Sequence, residues 1–253
     1  MFVRKLRTGM VMTAREIFRS RYIVALIVAM PLIFFLMIFI TSNDHELPIL
    51  LGMVSDHNAV VINEREISLL FFGAGAISLI AAFIALKLTQ QHQESCRRLI
   101  VCGYSTSEVL LSRVGMLLLT LVPLAVYVVG LLLCFFHPNA LLLVLAGFIL
   151  AGFVYAALGA FVGVLFRSEI EGVLAVLLVA NIDAVWMQNP VYYTATEHRE
   201  IIRTLPAYFP TQVCMISAFT EESVLAAAAG SILYGALLLT FALVIYWWRM
   251  RVL

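Results

Sequence analysis

An acidic side chain lies deep inside a stretch of this chain that is apolar enough to cross a membrane. Asp183 follows Asn181 in the stretch 170–187, about 13 residues from its beginning. A carboxylate in such a setting is costly and usually faces a hydrated path or a polar partner. Asn181 and Asp183 are therefore predicted to lie in a path through the membrane or at a subunit interface. The alternative is an acid near the outer surface, hydrated or paired with its own neighbours.

Motifs for other chemistry are absent from the sequence. Neither of the two lysines, Lys5 and Lys87, follows a glycine-rich run, so no phosphate-binding loop is present. The sequence also has no His-Glu-x-x-His motif, no cysteine pair at zinc-ligand spacing and no Gly-x-Ser-x-Gly elbow. We therefore expect no catalytic residue, no cofactor-binding residue and no metal site in this chain, which is not expected to be an enzyme.

The elements that position Asp183 are apolar stretches with short polar breaks between them. The composition is 63% apolar and 12% charged, whereas soluble domains average about 45–50% and about 25%. A membrane-spanning helix needs about 20 apolar residues. The sequence therefore predicts one all-α integral membrane domain over 1–253 with six transmembrane helices, solvated by a lipid bilayer. The predicted helices are 22–41, 67–89, 109–136, 140–166, 170–187 and 223–248.

The positive charges predict how the chain is oriented in the membrane. Thirteen of the 16 lysines and arginines fall on one side of a six-span arrangement, and Arg65, Arg199 and Arg203 fall on the other. Cytoplasmic flanks carry the excess of lysine and arginine. Both termini are therefore predicted to be cytoplasmic.

Three segments outside the spans also have recognisable patterns. Residues 1–21 have apolar residues near helical spacing with basic residues between them, which predicts an amphipathic helix at the membrane interface; the alternative is a basic flank that only sets topology. The cytoplasmic loop 90–108 is predicted to contain a short helix. The segment 188–222 has three prolines and short apolar pieces, which predict outer re-entrant helices before the sixth span; the alternative is a plain outer loop with an aromatic belt.

This arrangement resembles the membrane-spanning permease subunit of type-2 ABC transporters over essentially the whole chain. The amphipathic start, the cytoplasmic termini, the loop helix and the proline-containing region before the last span carry the resemblance. The stretch 94–105, ESCRRLIVCGYS, is similar to the coupling region of that family, although this chain has Ser95-Cys96 where members often have Gly-Thr. The resemblance implies that the residues that couple to the ATPase are Glu94, Arg97, Arg98, Leu99, Ile100, Gly103 and Tyr104.

The resemblance also implies partners and a mechanism. Two permease subunits, identical or different, would pair above two separate ABC ATPase subunits, which would bind the ATP and magnesium. The expected function is export of a hydrophobic or amphipathic compound, such as a drug, a lipid or a modified peptide, across a cell membrane, expected to be a bacterial plasma membrane. No nucleic-acid partner is expected. Two other classes remain: an ion-coupled carrier or channel that uses Asp183, and a membrane enzyme that acts on lipid.

Overall fold

The structure is a computed structural model that describes residues 21–54, 59–90, 106–166 and 168–251, together with Thr8, Met10 and Val11. Most of the described chain is helical, with one small sheet. The elements in chain order are α1 (Arg21–Thr41), β1 (Glu46–Ile49), β2 (Val60–Asn63), α2 (Glu64–Gln90), α3 (Thr106–Leu132), α4 (Leu141–Leu165), α5 (Glu169–Ala180), a π-helical segment (Asn181–Met187), α6 (Pro190–Ala195), α7 (Arg199–Arg203), α8 (Tyr208–Phe219) and α9 (Leu225–Arg251).

Among the described residues, five helical segments are long and apolar enough to cross a membrane. They are Glu64–Gln90, Val114–Leu132, Leu141–Leu165, Glu169–Met187 and Leu225–Trp248. The chain is therefore a multi-pass, mainly α-helical membrane protein, as predicted. The apolar part of α1, Ile27–Thr41, is shorter than these five, so the sixth span stays a prediction. The interface helix predicted over 1–21 lies outside the described residues except for Thr8, Met10 and Val11.

Helix α2 forms the centre of the bundle, and its most extensive contact is with α4. The two backbones approach closely at Gly159, where an added Cβ would collide with the carbonyl of Ala82. One turn later, a Cβ on Gly163 would lie 2.9 Å from the Cβ of Thr89. Small residues four apart allow this approach between membrane helices. The spacing of Gly159 and Gly163 in the sequence thus marks the central helix contact.

The chain between α1 and α2 forms an antiparallel hairpin, which the sequence analysis did not predict. Strands β1 and β2 pair with Leu47 opposite Ile62. Beside the strands, Arg65 pairs with Asp44 at 3.8 Å, and the Asn63 amide donates a hydrogen bond to the same carboxylate. Each strand has four residues, so the alternation of apolar and polar side chains is too short to stand out from a loop. The fold is therefore mainly α-helical, consistent with the predicted all-α membrane class, with one small two-stranded sheet added.

Helix α8 is buried against the bundle. Ten of its residues are buried, and it contacts α4, α9 and α2. In its first turn, the Phe209 ring lies so close to Gly230 of α9 that an added Cβ on the glycine would collide with the ring. Farther along the helix, Cys214 lies against Gly147 of α4. Its last turn stacks Phe219 on Phe136, with ring centroids 5.4 Å apart. The region 188–222 thus contains short helices; their re-entry into the membrane stays a prediction.

Candidate functional site

The last two turns of the fifth apolar segment change from α-helical to π-helical geometry. A bond from the Gln188 amide to the Asp183 carbonyl, 3.1 Å long, spans five residues. A π-helical turn contains one more residue than an α-helical turn and rotates the following side chains around the axis. Asn181 and Ile182 are exposed, whereas Asp183 and Ala184 are buried. The two polar residues of this segment therefore point in different directions.

The Asp183 carboxylate accepts hydrogen bonds from three groups of its own chain. The Tyr155 hydroxyl donates to Oδ2 at 2.7 Å, and the Ala207 amide donates to the same oxygen at 2.9 Å. The Gln188 side-chain amide donates to Oδ1 at 3.3 Å. Asp183 is 1% exposed and Tyr155 is fully buried. These residues form a buried polar cluster that we call the Asp183 cluster: Asp183, Tyr155, Gln188 and Ala207.

The position of Ala207 gives the cluster a favourable electrostatic arrangement. Ala207 is the N-cap of α8, so the carboxylate lies at the N-terminus of that helix, where the helix dipole favours negative charge. A buried carboxylate is costly unless donors replace the water that it loses. Three donors and a helix terminus supply that replacement here. The cluster therefore joins the middle of α4, the π-helical segment and the start of α8.

Two further hydrogen bonds extend the cluster to the neighbouring turn. The side-chain amide of Gln188 also donates to the Ile202 carbonyl of α7 at 3.4 Å. From the opposite side, the Tyr234 hydroxyl of α9 donates to the Thr204 carbonyl at 3.2 Å. The end of α7 and the residue after it are thereby attached to the end of the π-helical segment and to α9. Both bonds are accepted by backbone carbonyls, those of Ile202 and Thr204.

The sequence analysis grouped Asn181 with Asp183, and the structure separates them. The Asn181 side chain donates to the Leu177 carbonyl of its own helix at 2.8 Å and is exposed. It lies beside Leu178 and Ile182 on the outward face of the segment, and Leu178 is 63% exposed. Asp183 faces the interior of the same chain. A role for either residue in a translocation path or at a subunit interface stays a prediction.

The predicted ATPase-coupling residues lie outside the described part of the chain. The described residues nearest to them are Gln90, at the end of α2, and Thr106, at the start of α3. The side-chain amide of Gln90 donates to the Phe166 and Ser168 carbonyls, both at 3.3 Å. These two bonds fix the end of α2 against the α4–α5 connection. The coupling assignment of Glu94, Arg97, Arg98, Leu99, Ile100, Gly103 and Tyr104 therefore stays a prediction.

Sequence reasoning missed the partners of Asp183. Tyr155 had a detectable signal, since it is the one side chain within 140–166 that can donate a hydrogen bond. Gln188 stands five residues after Asp183 but looked like the start of a loop. Ala207 contributes its backbone amide, and the type of a side chain does not indicate whether the backbone of that residue binds a distant group. Within the described ranges, no group of three or more His, Cys, Asp or Glu residues could hold a metal ion.

Comparison with known protein families identifies the class. Residues 63–248 match the family described as ABC-2 family transporter protein. The match covers most of the chain, and the chain belongs to this family. It is therefore a permease component of a type-2 ABC transporter, as the resemblance in the sequence indicated. A search of curated proteins found no match.

Proposed function

We propose that this chain is the permease subunit of an ATP-driven exporter of hydrophobic or amphipathic compounds. Two permease subunits, identical or different, pair in a cell membrane, expected to be a bacterial plasma membrane. Two separate ABC ATPase subunits bind ATP and magnesium beneath them. The loop 90–108 receives the motion of the ATPases. The cargo passes between the two permease subunits.

The observation that carries the proposal is the family match over 63–248. The matched region contains all five helical segments that could cross a membrane. The sequence has no phosphate-binding loop, so in this proposal ATP is bound outside the residues of this sequence. An ABC ATPase is the partner that the family relationship implies.

The proposed orientation places both termini and the loop 90–108 in the cytoplasm. The hairpin β1–β2 and helices α6–α8 then lie on the outer side. This placement is supported by the thirteen basic residues that it leaves on the cytoplasmic side. The outer helices would form the exit of the path.

In this proposal, the Asp183 cluster couples the exit helices to the spans. The cluster attaches the start of α8 to α4 and to the π-helical segment that continues α5. If α4 and the fifth apolar segment move as rigid bodies when ATP binds, α8 moves with them. The exposed face of this segment that carries Asn181 would face the path or the second permease subunit.

An ion-coupled carrier that uses Asp183 is the alternative. A coupling carboxylate has to exchange protons or ions with a hydrated path. In the structure, Tyr155, Gln188 and the Ala207 amide occupy the Asp183 oxygens, and this arrangement favours a positioning role over ion coupling.

The experiment that tests the proposal is purification of the tagged chain from its native host in mild detergent, with mass spectrometry of the proteins that accompany it. We expect a stoichiometric ABC ATPase subunit, and the same measurement identifies any second permease. Recovery of the chain alone, in a preparation that keeps known transporter complexes intact, would overturn the proposal and favour the carrier.

A further inference from the structure

A half-open cleft separates the segment after β1 from helices α6 and α7. Its volume is about 370 Å³, which lies in the range of small-molecule sites, about 300–1,000 Å³. Residues 50–52 line one wall. The other wall is lined by Tyr193, Glu197, Arg199, Glu200 and Arg203. The Asp183 cluster lies outside this cleft, and the proposed mechanism does not use it.

Two arginines give the cleft positive charge. Arg199 donates to the carbonyls of Tyr193 at 3.3 Å and Thr194 at 3.0 Å, which fixes its guanidinium against α6. Neither of the ion pairs found among the described residues involves Arg199. Arg203 pairs with Glu200 at 3.2 Å, and the Glu200 side chain is 85% exposed. Arg199 therefore keeps its full charge, and Arg203 is only partly neutralised from the solvent side.

The wall of the cleft also contains two buried donors that are incompletely satisfied. The Tyr193 hydroxyl lies beside the Arg203 guanidinium and the Tyr208 hydroxyl, but neither the Tyr193 hydroxyl nor the Nε of Arg203 makes a hydrogen bond of normal geometry with any described residue. Tyr193 is 4% exposed. Buried polar atoms nearly always have a partner, and an unmade hydrogen bond is costly. The two donors therefore suit an acceptor that comes from outside the chain.

The loop that faces these donors is held close to them. A Cβ on Gly52 would collide with the hydroxyls of both Tyr193 and Tyr208, and the Gly52 amide donates to the Gln212 side chain at 3.0 Å. Burial raises the pKa of the Tyr208 phenol, so this hydroxyl remains protonated and neutral. The lining of the cleft therefore presents a neutral donor from α6, the Tyr193 hydroxyl, and cationic donors from α7, Arg199 and Arg203.

The acidic side chains of the cleft lie at its mouth. Glu197 and Glu200 are exposed, whereas Tyr193 is buried and Arg199 and Arg203 are partly buried. An anionic group fits the donors of the wall, because guanidinium groups bind carboxylate and phosphate in a two-pronged geometry. A cationic group attached to that anion would lie beside the glutamates. The charge distribution is therefore complementary to a zwitterion rather than to a bare anion.

Exposed apolar side chains occur on the neighbouring helices. Ile201 of α7 is 63% exposed, and Trp186 of the π-helical segment is 59% exposed and contacts the ring of Tyr192. Exposed aromatic residues of this kind are typical of membrane interfaces. These residues indicate that the outer helices lie at such an interface, where the apolar tail of a ligand would be.

We propose that the cleft between residues 50–52 and helices α6–α7 binds the zwitterionic head group, an acidic oxyanion beside an ammonium, of an amphipathic molecule. That this molecule is the exported cargo rests on the proposed function. The binding itself does not depend on it.

The proposal is tested by native mass spectrometry. The protein is purified in a non-ionic detergent together with any ATPase that accompanies it. The probes are short-chain phosphatidylethanolamine, short-chain phosphatidylglycerol, free phosphoethanolamine and inorganic phosphate. We expect saturable binding of phosphatidylethanolamine that is stronger than binding of phosphatidylglycerol. Binding of free phosphoethanolamine with equal affinity would assign the site to soluble zwitterions, and weaker binding would assign it to lipids; both support the head-group proposal.

Two neighbouring tyrosines offer a matched pair of variants. Tyr193→Phe removes a donor to an anion and should weaken phosphatidylethanolamine binding about tenfold, whereas Tyr192→Phe alters an exposed ring and should leave it unchanged. Arg203→Gln should weaken binding more than Tyr193→Phe does. Glu197→Gln should weaken the binding of phosphatidylethanolamine about threefold, whereas the binding of phosphatidylglycerol should stay the same or become slightly stronger, because a repelling carboxylate is lost. Thermal unfolding of each variant separates loss of binding from loss of fold.

Some results would overturn the proposal. They are the absence of saturable binding, preference for phosphatidylglycerol or inorganic phosphate, and unchanged affinity in the folded Tyr193→Phe and Arg203→Gln variants. If an ATPase accompanies the chain and no zwitterion binds, the inference fails and the proposed function stands. If zwitterions bind and no ATPase is found, the site stands and its role in ATP-driven export is lost.

Discussion

The Tyr155 hydroxyl donates a hydrogen bond of 2.7 Å to the Asp183 carboxylate, and both residues are buried. This bond connects the middle of α4 to the π-helical end of the fifth apolar segment. The same carboxylate oxygen accepts the Ala207 amide at the start of α8. A single acidic side chain thereby sets the relative positions of three elements.

Replacing Asp183 by Asn should destabilise the fold without changing the shape of the side chain. Both oxygens of the Asp183 carboxylate accept hydrogen bonds, whereas an asparagine amide has only one acceptor oxygen. Its NH2 group would take the place of the second oxygen and would face another donor. An unsatisfied buried donor costs about 1–3 kcal/mol, and we expect a lower unfolding temperature in detergent. Asn181→Ala is the control, because that side chain is exposed and bonds to its own helix. Loss of transport with an unchanged unfolding temperature would instead place Asp183 in the path.

A double-mutant cycle should show that Tyr155 and Asp183 act together. Tyr155→Phe, Asp183→Asn and the combined variant are compared by their free energies of unfolding. Hydrogen bonds between membrane helices have measured coupling energies of about 0.6 kcal/mol on average and up to about 1.7, and we expect a value in the upper half of this range because both groups are buried. Additive effects of the two substitutions would contradict the direct bond.

Replacing Gly159 by Ala should separate α2 from α4. The new methyl group would collide with the Ala82 carbonyl, and overpacking of this kind costs about 1–3 kcal/mol. Gly130→Ala in α3 is the matched control, because nothing lies within 4 Å of an added Cβ there. That variant should unfold at the same temperature as the wild type or slightly above it, since alanine favours helices. Equal behaviour of the two variants in a thermal-shift measurement would argue against the close contact.

Replacing Leu99 and Ile100 by Asp should uncouple the ATPase from the permease. The substitution removes the apolar contact of Leu99 and Ile100 with the ATPase, and the two new carboxylates are costly to bury in its place. Membrane insertion should be unchanged, while co-purification of the ATPase and transport should both fall at least tenfold, since each lost contact of this kind is worth more than about 1.4 kcal/mol. If ATPase association and transport both survive, the loop 90–108 is not the coupling element.

Deletion of the gene should raise the cellular accumulation of some apolar compounds. Export of a hydrophobic or amphipathic cargo lowers its steady-state level in the cell, so loss of the permease removes that drain. Accumulation is measured across chemically diverse compounds in the wild type, the deletion and the complemented deletion. Identical accumulation for every compound would count against export of this class of cargo.

Local patterns in the sequence were sufficient to predict the helical spans. Apolar length alone indicated where α2, α4 and α9 lie, because a helix in lipid satisfies its backbone hydrogen bonds internally and needs only apolar side chains. Gly159 and Gly163 are also a local pattern, four residues apart, and the structure shows the close helix contact that small side chains allow there. These properties depend on residues that are near one another in the chain.

The partners of Asp183 depended on the tertiary structure. Tyr155 is 28 residues away in the chain and the Ala207 amide is 24 residues away, so no local periodicity connects them to the acid. Asn181 and Asp183 are two residues apart, about 200° around an ordinary helix, so local geometry places them on different faces but does not say which face is buried. The tertiary contacts decided that Asp183 faces inward.

The hairpin and the outer cleft were also decided by tertiary contacts. Each strand is too short to show its alternation, and the cleft forms only where residues 50–52 meet α6 and α7. The sequence by itself thus determined that this is a multi-pass, mainly α-helical membrane protein, because hydropathy is a local property. Only the tertiary structure decided which polar groups meet, because a buried hydrogen bond joins residues that are close in space regardless of their separation along the chain.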